Sequence, residues 1–189
     1  MLIGIIMDDI KTSYEIVKVL KMLNIPFIFL KKNENIPNNI CAIISSEKLN
    51  NKRFILYEGN AKKTVLKAIS ICKGRENFEE VIVGIDPGNK VGVVVLADGD
   101  LIEAKIILNH RLEEFIKSIL IDYPTNSFIF KIGKGEIPKE VLSIINNDIR
   151  VKVEFVEEVK LPIPPKYRIK GLKKDLKSAL IIALSKSFR

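Results

Sequence analysis

A carboxylate, Asp86, follows an apolar run at a point where the chain must turn. The stretch is VIVGIDPGNKVGVVVLADGD, residues 81–100, and Asp86 stands between the apolar VIVGI and the pair Pro87-Gly88. Desolvating a carboxylate at the end of a strand costs free energy unless a cation offsets its charge. Asp86 is therefore a candidate cation ligand. The alternative is that it accepts hydrogen bonds within the turn.

A basic stretch near the other end of the sequence is suited to a polyanionic partner. Residues 160–189 contain nine Lys and Arg residues and one acid, Asp175, in a chain of net charge +8. Such cations displace the counterions that are condensed on nucleic-acid phosphates. Within this stretch, the three prolines of KLPIPPKYRIKGLKK (160–174) predict an exposed, extended segment. A solvated lysine-rich surface is the alternative interpretation.

The elements that must position these residues fall into two predicted domains, residues 1–75 and residues 79–189. The polar run KGRENFEE, at 73–80, separates them and has no apolar periodicity. In the first domain, short apolar runs alternate with helical patterns, which predicts a small, mostly parallel α/β domain. Its composition does not indicate a role.

The segment after the first predicted strand contains adjacent acids. Asp8 and Asp9 are similar to the acid pair of response-regulator receiver domains, but the strand CAIIS ends in serine where those domains have a phosphoacceptor aspartate. A docking or structural role is therefore preferred for this domain.

A helix is predicted over 12–23, with Thr12 or Ser13 as its N-cap.

The second domain is predicted to open with an antiparallel meander. VIVGID and KVGVVVLA are joined by the short turn PGN, and LIEAKIIL follows after DGD. A helix, the strand NSFIFKIG, a second helix, the strand VKVEFVEE and the final helix DLKSALIIALSK complete the order. The fold class is thus α/β, with further strands and flanking helices extending the meander.

This order, opened by GIDPGN, resembles the ribonuclease H-like nucleases, specifically the RuvC/YqgF branch that includes Holliday-junction resolvases. IGKGEIPKE (132–140) is similar to the Gly-x-Gly-Thr turn in the YqgF-like domain of Tex transcription factors. VEFVEEVKLP (153–162) is similar to the family's strand ending in Asp-Glu-Arg or Asn-Glu, and KKDLKSALIIAL (173–184) resembles its closing helix with Asp-x-x-x-Ala. The resemblance covers residues 79–189 and implies a ribonuclease H-like fold, with the extra strands parallel to the first.

The resemblance also implies a metal-dependent nuclease acting on structured DNA or RNA. Asp86, Glu158 and Asp175 match the family's catalytic and metal-binding carboxylates, which implies Mg²⁺ or Mn²⁺ as the ion. Two such ions about 3.5–4 Å apart activate a water and stabilise the leaving oxygen in this class of reaction. A homodimer is implied as well, because a junction has two symmetric cuts.

The sequence leaves open which further residues bind the metal, and also whether the domain cleaves nucleic acid or only binds it. Glu157 is an alternative to Glu158, since adjacent residues of a strand face opposite sides, and Glu136 is a second additional candidate. Resolvases carry another glutamate at the end of the fourth strand, where this chain has Lys131 and Lys134. This departure favours a catalytically reduced module that binds nucleic acid or protein. Asp175 is also typical of the first turn of any helix.

The candidate nucleic-acid contacts are basic or aromatic residues near these carboxylates: Lys134, Lys166, Tyr167, Arg168, Lys170, Lys173 and Lys174. The cations are suited to phosphates, and the Tyr167 ring is suited to stacking on an unpaired base.

Cys41 and Cys72 lie in apolar runs without metal-ligand spacing. They are predicted to be buried free thiols of a cytoplasmic protein, and zinc is not expected. No apolar run approaches the roughly 20 residues that cross a bilayer, so no membrane association is expected. The start MLIGIIMDDI turns acidic, which argues against a secretory signal.

Overall fold

A computed structural model of the protein describes residues 1–32, 34–48, 53–157, 162–167 and 173–185. The chain divides into two compact units, one of Met1–Phe78 with Ile121–Pro124, and one of Glu79–Leu120 with Thr125–Arg189. The sequence did not indicate that the four residues Ile121–Pro124 belong with the first unit. None of the helices in the described ranges is long and apolar enough to cross a membrane.

The first unit is a four-stranded parallel sheet with two helices. Its elements are β1 (Ile3–Ile6), α1 (Ile10–Met22), β2 (Phe27–Phe29), β3 (Ala42–Ser45), β4 (Phe54–Leu56) and α2 (Ala61–Cys72). The strand order is β2-β1-β3-β4, and every described pair is parallel, as the alternation of strands and helices predicts. All four residues of β1 and of β3 are buried, because a parallel sheet is covered on both faces.

Asp9, rather than Thr12 or Ser13, is the N-cap of α1. Its Oδ2 accepts a hydrogen bond from the Thr12 backbone N–H at 2.7 Å, which satisfies one of the unpaired donors of the first turn. The hydrogen bonds from Thr12 lower the pKa of the Asp9 carboxyl below its ordinary value. The acid next to the first strand therefore has a capping role, which accounts for it without receiver chemistry.

The two cysteines form a disulfide, so the prediction of free thiols is wrong. Cys41 precedes β3 and Cys72 ends α2, and their Cα atoms are 4.8 Å apart across 31 residues of sequence. The reason lies in the topology. The last residue of α2 lies beside the start of a strand that the helix covers, and sequence spacing alone does not reveal this juxtaposition. The argument from free thiols to a cytoplasmic location loses its basis.

The second unit is a five-stranded mixed sheet with helices. Its elements are β5 (Val81–Asp86), β6 (Lys90–Ala97), β7 (Asp100–Leu108), α3 (Asn109–Asp122), β8 (Phe128–Ile132), α4 (Lys139–Asn147), β9 (Val151–Phe155), a 3₁₀ turn (Pro165–Tyr167) and α5 (Lys174–Leu184). The strand order is β7-β6-β5-β8-β9. The antiparallel meander β5–β6–β7 is observed as predicted, and β8 and β9 extend it in parallel.

Helix α5 lies across β5 and β6 on one face of this sheet. Val94 and Leu96 of β6 pack there with Leu180 and Ala183 of the helix. The intervening β6 residues alternate to the other face and are buried as well, so both faces of the central strands are covered. The core of the unit therefore surrounds the strand that ends in Asp86.

Candidate carboxylate site

Four strands of the second unit end at the same edge of the sheet. β7, β8 and β9 run in the direction of β5, and the four strands end at Asp86, Leu108, Ile132 and Phe155. We call this side of the sheet the carboxyl edge. The loop after β5 and the turn after β8, which carries the Gly133-x-Gly135 motif, both lie here.

Two glycines allow the backbone of α5 to lie directly on the central strands. A Cβ at Gly84 of β5 would lie 2.3 Å from the Ala179 carbonyl oxygen. A Cβ at Gly92 of β6 would lie 2.4 Å from the carbonyl oxygen of Asp175. Real side chains do not approach so closely, so only glycine fits at either position. These contacts determine where α5 begins relative to the sheet.

The same contacts bring two of the predicted carboxylates together. Gly92 is the register partner of Asp86 in the antiparallel β5–β6 pair. Residues directly opposite in such a pair point to the same face, with Cβ positions about 4.5–5.5 Å apart. Because the Gly92 position faces Asp175, Asp86 and Asp175 share one face at the carboxyl edge. Both residues are half-buried.

The other predicted ligands have different outcomes. Glu158 lies outside the described residues, as do Arg168 and Lys170. Glu157 is 75% exposed, and its Oε1 is 3.4 Å from the Nζ of Lys134, which is 73% exposed. Glu136 is exposed in the turn after β8. Across the described ranges, no group of three or more His, Cys, Asp or Glu residues has an arrangement that would hold a metal ion.

Two predicted nucleic-acid contacts, Lys166 and Tyr167, lie far from the carboxylates. The Tyr167 hydroxyl donates to the carbonyl oxygen of Gly99 at 2.6 Å, and Lys166 Nζ donates to the same oxygen at 3.0 Å. Gly99 lies in the β6–β7 turn, beside the start of β5. β5 has six residues, so its ends are roughly 17 Å apart. The prediction that Lys166 flanks Asp175 is therefore wrong, and Tyr167 lies away from the carboxylates with it.

The Tyr167 ring is part of the core and not a surface for a base. Only 4% of the residue is exposed, and it packs with Val94 and Leu180 in the cluster beneath α5. Contact with the Tyr167 side chain also raises the pKa of the Lys166 ammonium above its ordinary value. Pro165–Tyr167 is a 3₁₀ turn and not the extended conformation that the prolines predict. Most of the described residues of 160–174 are exposed as predicted, and residues 160, 161 and 168–172 lie outside the described ranges.

We expect Tyr167→Ala to lower the free energy of unfolding by about 3–5 kcal/mol, because it removes a large buried ring. Tyr167→Phe keeps the ring and loses only the hydroxyl bond to Gly99, so a loss of about 1 kcal/mol is expected. Urea unfolding followed by circular dichroism measures both values. An unchanged stability in Tyr167→Ala, together with weaker nucleic-acid binding, would restore the stacking role.

Three lysines lie on the same side of the second unit as the carboxylates, two of them exposed and one buried. Lys173 and Lys174 are exposed where α5 begins, next to Asp175. Lys131 of β8 is 7% exposed, and its Nζ donates to the Ser185 carbonyl oxygen at 2.5 Å. Lys131 is the register partner of Gly84, so it lies on the α5 face as Asp86 does. Sequence reasoning did not identify this burial, whose only signal is a lysine within the apolar run FIFKI.

Comparisons with known proteins add little to this geometry. No protein-family model matches the chain, and no curated protein sequence does. Among solved structures, the chain is similar to the crystal structure of Marinitoga piezophila Argonaute in complex with a 5′-hydroxyl guide RNA, with a TM-score of 0.30 and 14% identity. The match covers 83% of this chain and 39% of that chain. A TM-score of this size establishes neither a common fold nor a common function.

Proposed function

We propose that residues 79–189 form a ribonuclease H-like, divalent-cation-dependent nuclease that cleaves the phosphodiester backbone of nucleic acid. The observation that carries the proposal is the shared face of Asp86 and Asp175, which are 89 positions apart in the chain (175 − 86). The antiparallel meander β5–β6–β7, extended by the parallel strands β8 and β9 and flanked by helices, agrees with the ribonuclease H-like fold that the resemblance implies. Both features support one cation site at the carboxyl edge.

The ligand set that we propose is Asp86, Asp175 and Glu158. Carboxylate oxygens are hard ligands of the kind that Mg²⁺ and Mn²⁺ prefer. Glu158 enters from the sequence match alone, and it is preferred to Glu157 because the described partner of Glu157 is Lys134. When bound, the ions supply an activated water and stabilise the leaving oxygen.

The residues around the carboxylates are suited to holding the substrate. Lys173 and Lys174 are exposed beside Asp175, and cations at this position attract the phosphates on either side of the cleaved bond. Lys139, exposed at the start of α4, adds a further cation in the same unit. Lys166 is left out of the proposed interface because it lies at the opposite edge of the sheet.

Cation binding of Asp86→Asn and Asp175→Asn tests the proposal. We expect each change to weaken Mn²⁺ and Mg²⁺ binding at least about tenfold in isothermal titration, because each removes a charged ligand and substitutes a weaker neutral one. Cleavage of branched DNA and of RNA–DNA hybrids is expected to be lost in the same variants. Glu157→Gln is the matched control, since it removes an exposed carboxylate of the same edge. Equal cation affinity in Asp86→Asn and the wild type would contradict the proposal.

A second candidate function is a module that binds nucleic acid without cutting it. The observation that favours it is Lys131, a buried ammonium near the position where resolvases have an additional glutamate. A cation of the protein at this position reduces the charge that the site has available for a second metal ion. Oligonucleotide binding that is independent of Mg²⁺, with no cleavage of either substrate, is the outcome that distinguishes this candidate from the nuclease.

A further inference from the structure

A cavity at the carboxyl edge is separate from the proposed cation site, since neither Asp86 nor Asp175 lines it. Its volume is about 620 Å³, within the roughly 300–1,000 Å³ of typical small-molecule sites. Residues 135–138, which follow β8, form one wall. The remaining lining residues are Asn109, Lys139, Leu142 and Phe155.

Phe155 contributes an exposed aromatic ring to the lining of this cavity. It is the last residue of β9, at the edge of the sheet, and it is 74% exposed, whereas its register partner Ile132 is 1% exposed. An isolated exposed apolar residue is common on protein surfaces. Here the exposed ring lines a cavity in which Ile137 and Leu142 supply further apolar surface. The cavity is therefore suited to a flat, aromatic ligand.

The polar groups of the cavity match the edge of a nucleobase. The Asn109 carboxamide contains both a donor and an acceptor, Lys139 supplies donors, and Glu136 supplies acceptors. Unpaired bases are bound in this way, with a face stacked on an aromatic ring and the edge hydrogen-bonded to side chains. A free phosphate would use the cation but not the aromatic ring.

The wall of the cavity contacts the loop that carries Asp86. Gly135 has a φ of 139° and belongs to the cavity lining. A Cβ on Gly135 would lie 2.8 Å from the Cβ of Pro87, the residue that follows Asp86. Phe155 and its register partner Ile132 face away from α5, whereas Asp86 faces it. The Pro87 loop thus lies between the cavity and the carboxylates, and a strand that crosses the carboxyl edge would pass both.

We infer that this cavity binds an unpaired nucleobase, stacked on Phe155, of the strand whose backbone is held at Asp86 and Asp175. The inference rests on the proposed function and narrows its substrate class to nucleic acid with an unpaired nucleotide beside the scissile phosphate. A fully paired duplex keeps its bases inside the helix and cannot fill the cavity. Phe155 takes the stacking role for which the sequence suggested Tyr167.

The test uses a short single-stranded oligonucleotide containing 2-aminopurine, whose fluorescence falls when the base stacks. Full-length wild-type protein with Mn²⁺ serves as the background, and the oligonucleotide has a phosphorothioate backbone that resists cleavage, so that the strand stays intact. We expect binding to quench the fluorescence, Phe155→Ala to remove the quench and weaken binding about tenfold, and Phe155→Trp to retain both. Phe29→Ala is the matched control, because Phe29 is 59% exposed on a strand of the first unit. Thermal unfolding verifies that each variant is folded.

The outcomes separate this inference from the proposed function. Equal quenching and affinity in Phe155→Ala and Phe29→Ala would overturn the stacking site. The nuclease proposal is then tested separately, by measuring cation affinity and duplex cleavage in the wild type and in Asp86→Asn. Cation binding and cleavage by the wild type that are lost in Asp86→Asn would leave the nuclease proposal intact. Loss of quenching in Phe155→Ala with unchanged cation affinity is the result that supports the inference by itself.

Discussion

Gly84→Ala is expected to lower the free energy of unfolding of the second unit by about 3 kcal/mol or more. The added Cβ would lie 2.3 Å from the Ala179 carbonyl oxygen, and 2.7 Å and 2.8 Å from the Cβ and backbone nitrogen of Ala183. Two of these atoms belong to the backbone of α5, one in the middle of the helix at Ala179 and one in its last turn at Ala183. Relief of both contacts requires the helix to shift off the sheet. Overpacking of a core costs about 1–3 kcal/mol even where side chains are able to adjust. Urea unfolding followed by circular dichroism measures the loss.

Gly4→Ala provides the comparison for this result. Gly4 is also a glycine of a buried strand, but the closest atom to its added Cβ is Leu30 Cδ1, at 2.7 Å. This atom is the end of a flexible side chain, so a rotamer change relieves the contact at a cost of about 1 kcal/mol. A loss in Gly84→Ala no larger than that in Gly4→Ala would mean that α5 does not lie as close to β5 as the structure has it.

Local patterns were sufficient to predict the strands and helices of both units and the antiparallel meander. The run VIVGID and the turn PGN specify a strand and a hairpin through their own residues, and the observed pairing of β5 with β6 follows. The residue that packs against a glycine in such a run belongs to another part of the chain, so local patterns do not predict it. The glycine of VIVGI signals a close contact, but its partner Ala179 is 95 positions away (179 − 84).

The errors share this physical cause. Tyr167 stands among prolines and lysines, a context typical of exposed segments, yet its burial depends on Leu180 of α5 and Val94 of β6. The cysteines are joined because α2 packs on β3, a contact across 31 residues of sequence. Composition predicts exposure from the neighbours in the chain, whereas burial depends on neighbours in space. The position of Asp86 at the end of its strand was predicted correctly, because the strand VIVGID and the turn PGN are both specified by local residues.

Gly92→Ala tests whether the position of α5 controls the candidate cation site, and we expect it to weaken Mn²⁺ binding about 10- to 100-fold. The added Cβ would lie 2.4 Å from the carbonyl oxygen and 2.9 Å from the carbonyl carbon of Asp175. This contact is in the first turn of α5, and helix ends move more readily than helix interiors. The helix is therefore expected to yield at Asp175, with a loss of about 2 kcal/mol in stability, which is smaller than that for Gly84→Ala.

The displacement matters because ligand position determines affinity. Changes to residues that orient a metal ligand typically weaken metal binding about 10- to 100-fold, so Asp175 need not be replaced to be lost as a ligand. Gly88→Ala is the matched control, since Gly88 is an exposed glycine of the same edge whose added Cβ would meet only the Lys90 carbonyl oxygen, at 3.3 Å. Titrations at a temperature where all three proteins are folded separate affinity from stability. If Gly92→Ala binds Mn²⁺ as Gly88→Ala does while unfolding more easily, then Asp175 has only a structural role at the first turn, and the cation site has to be sought without it.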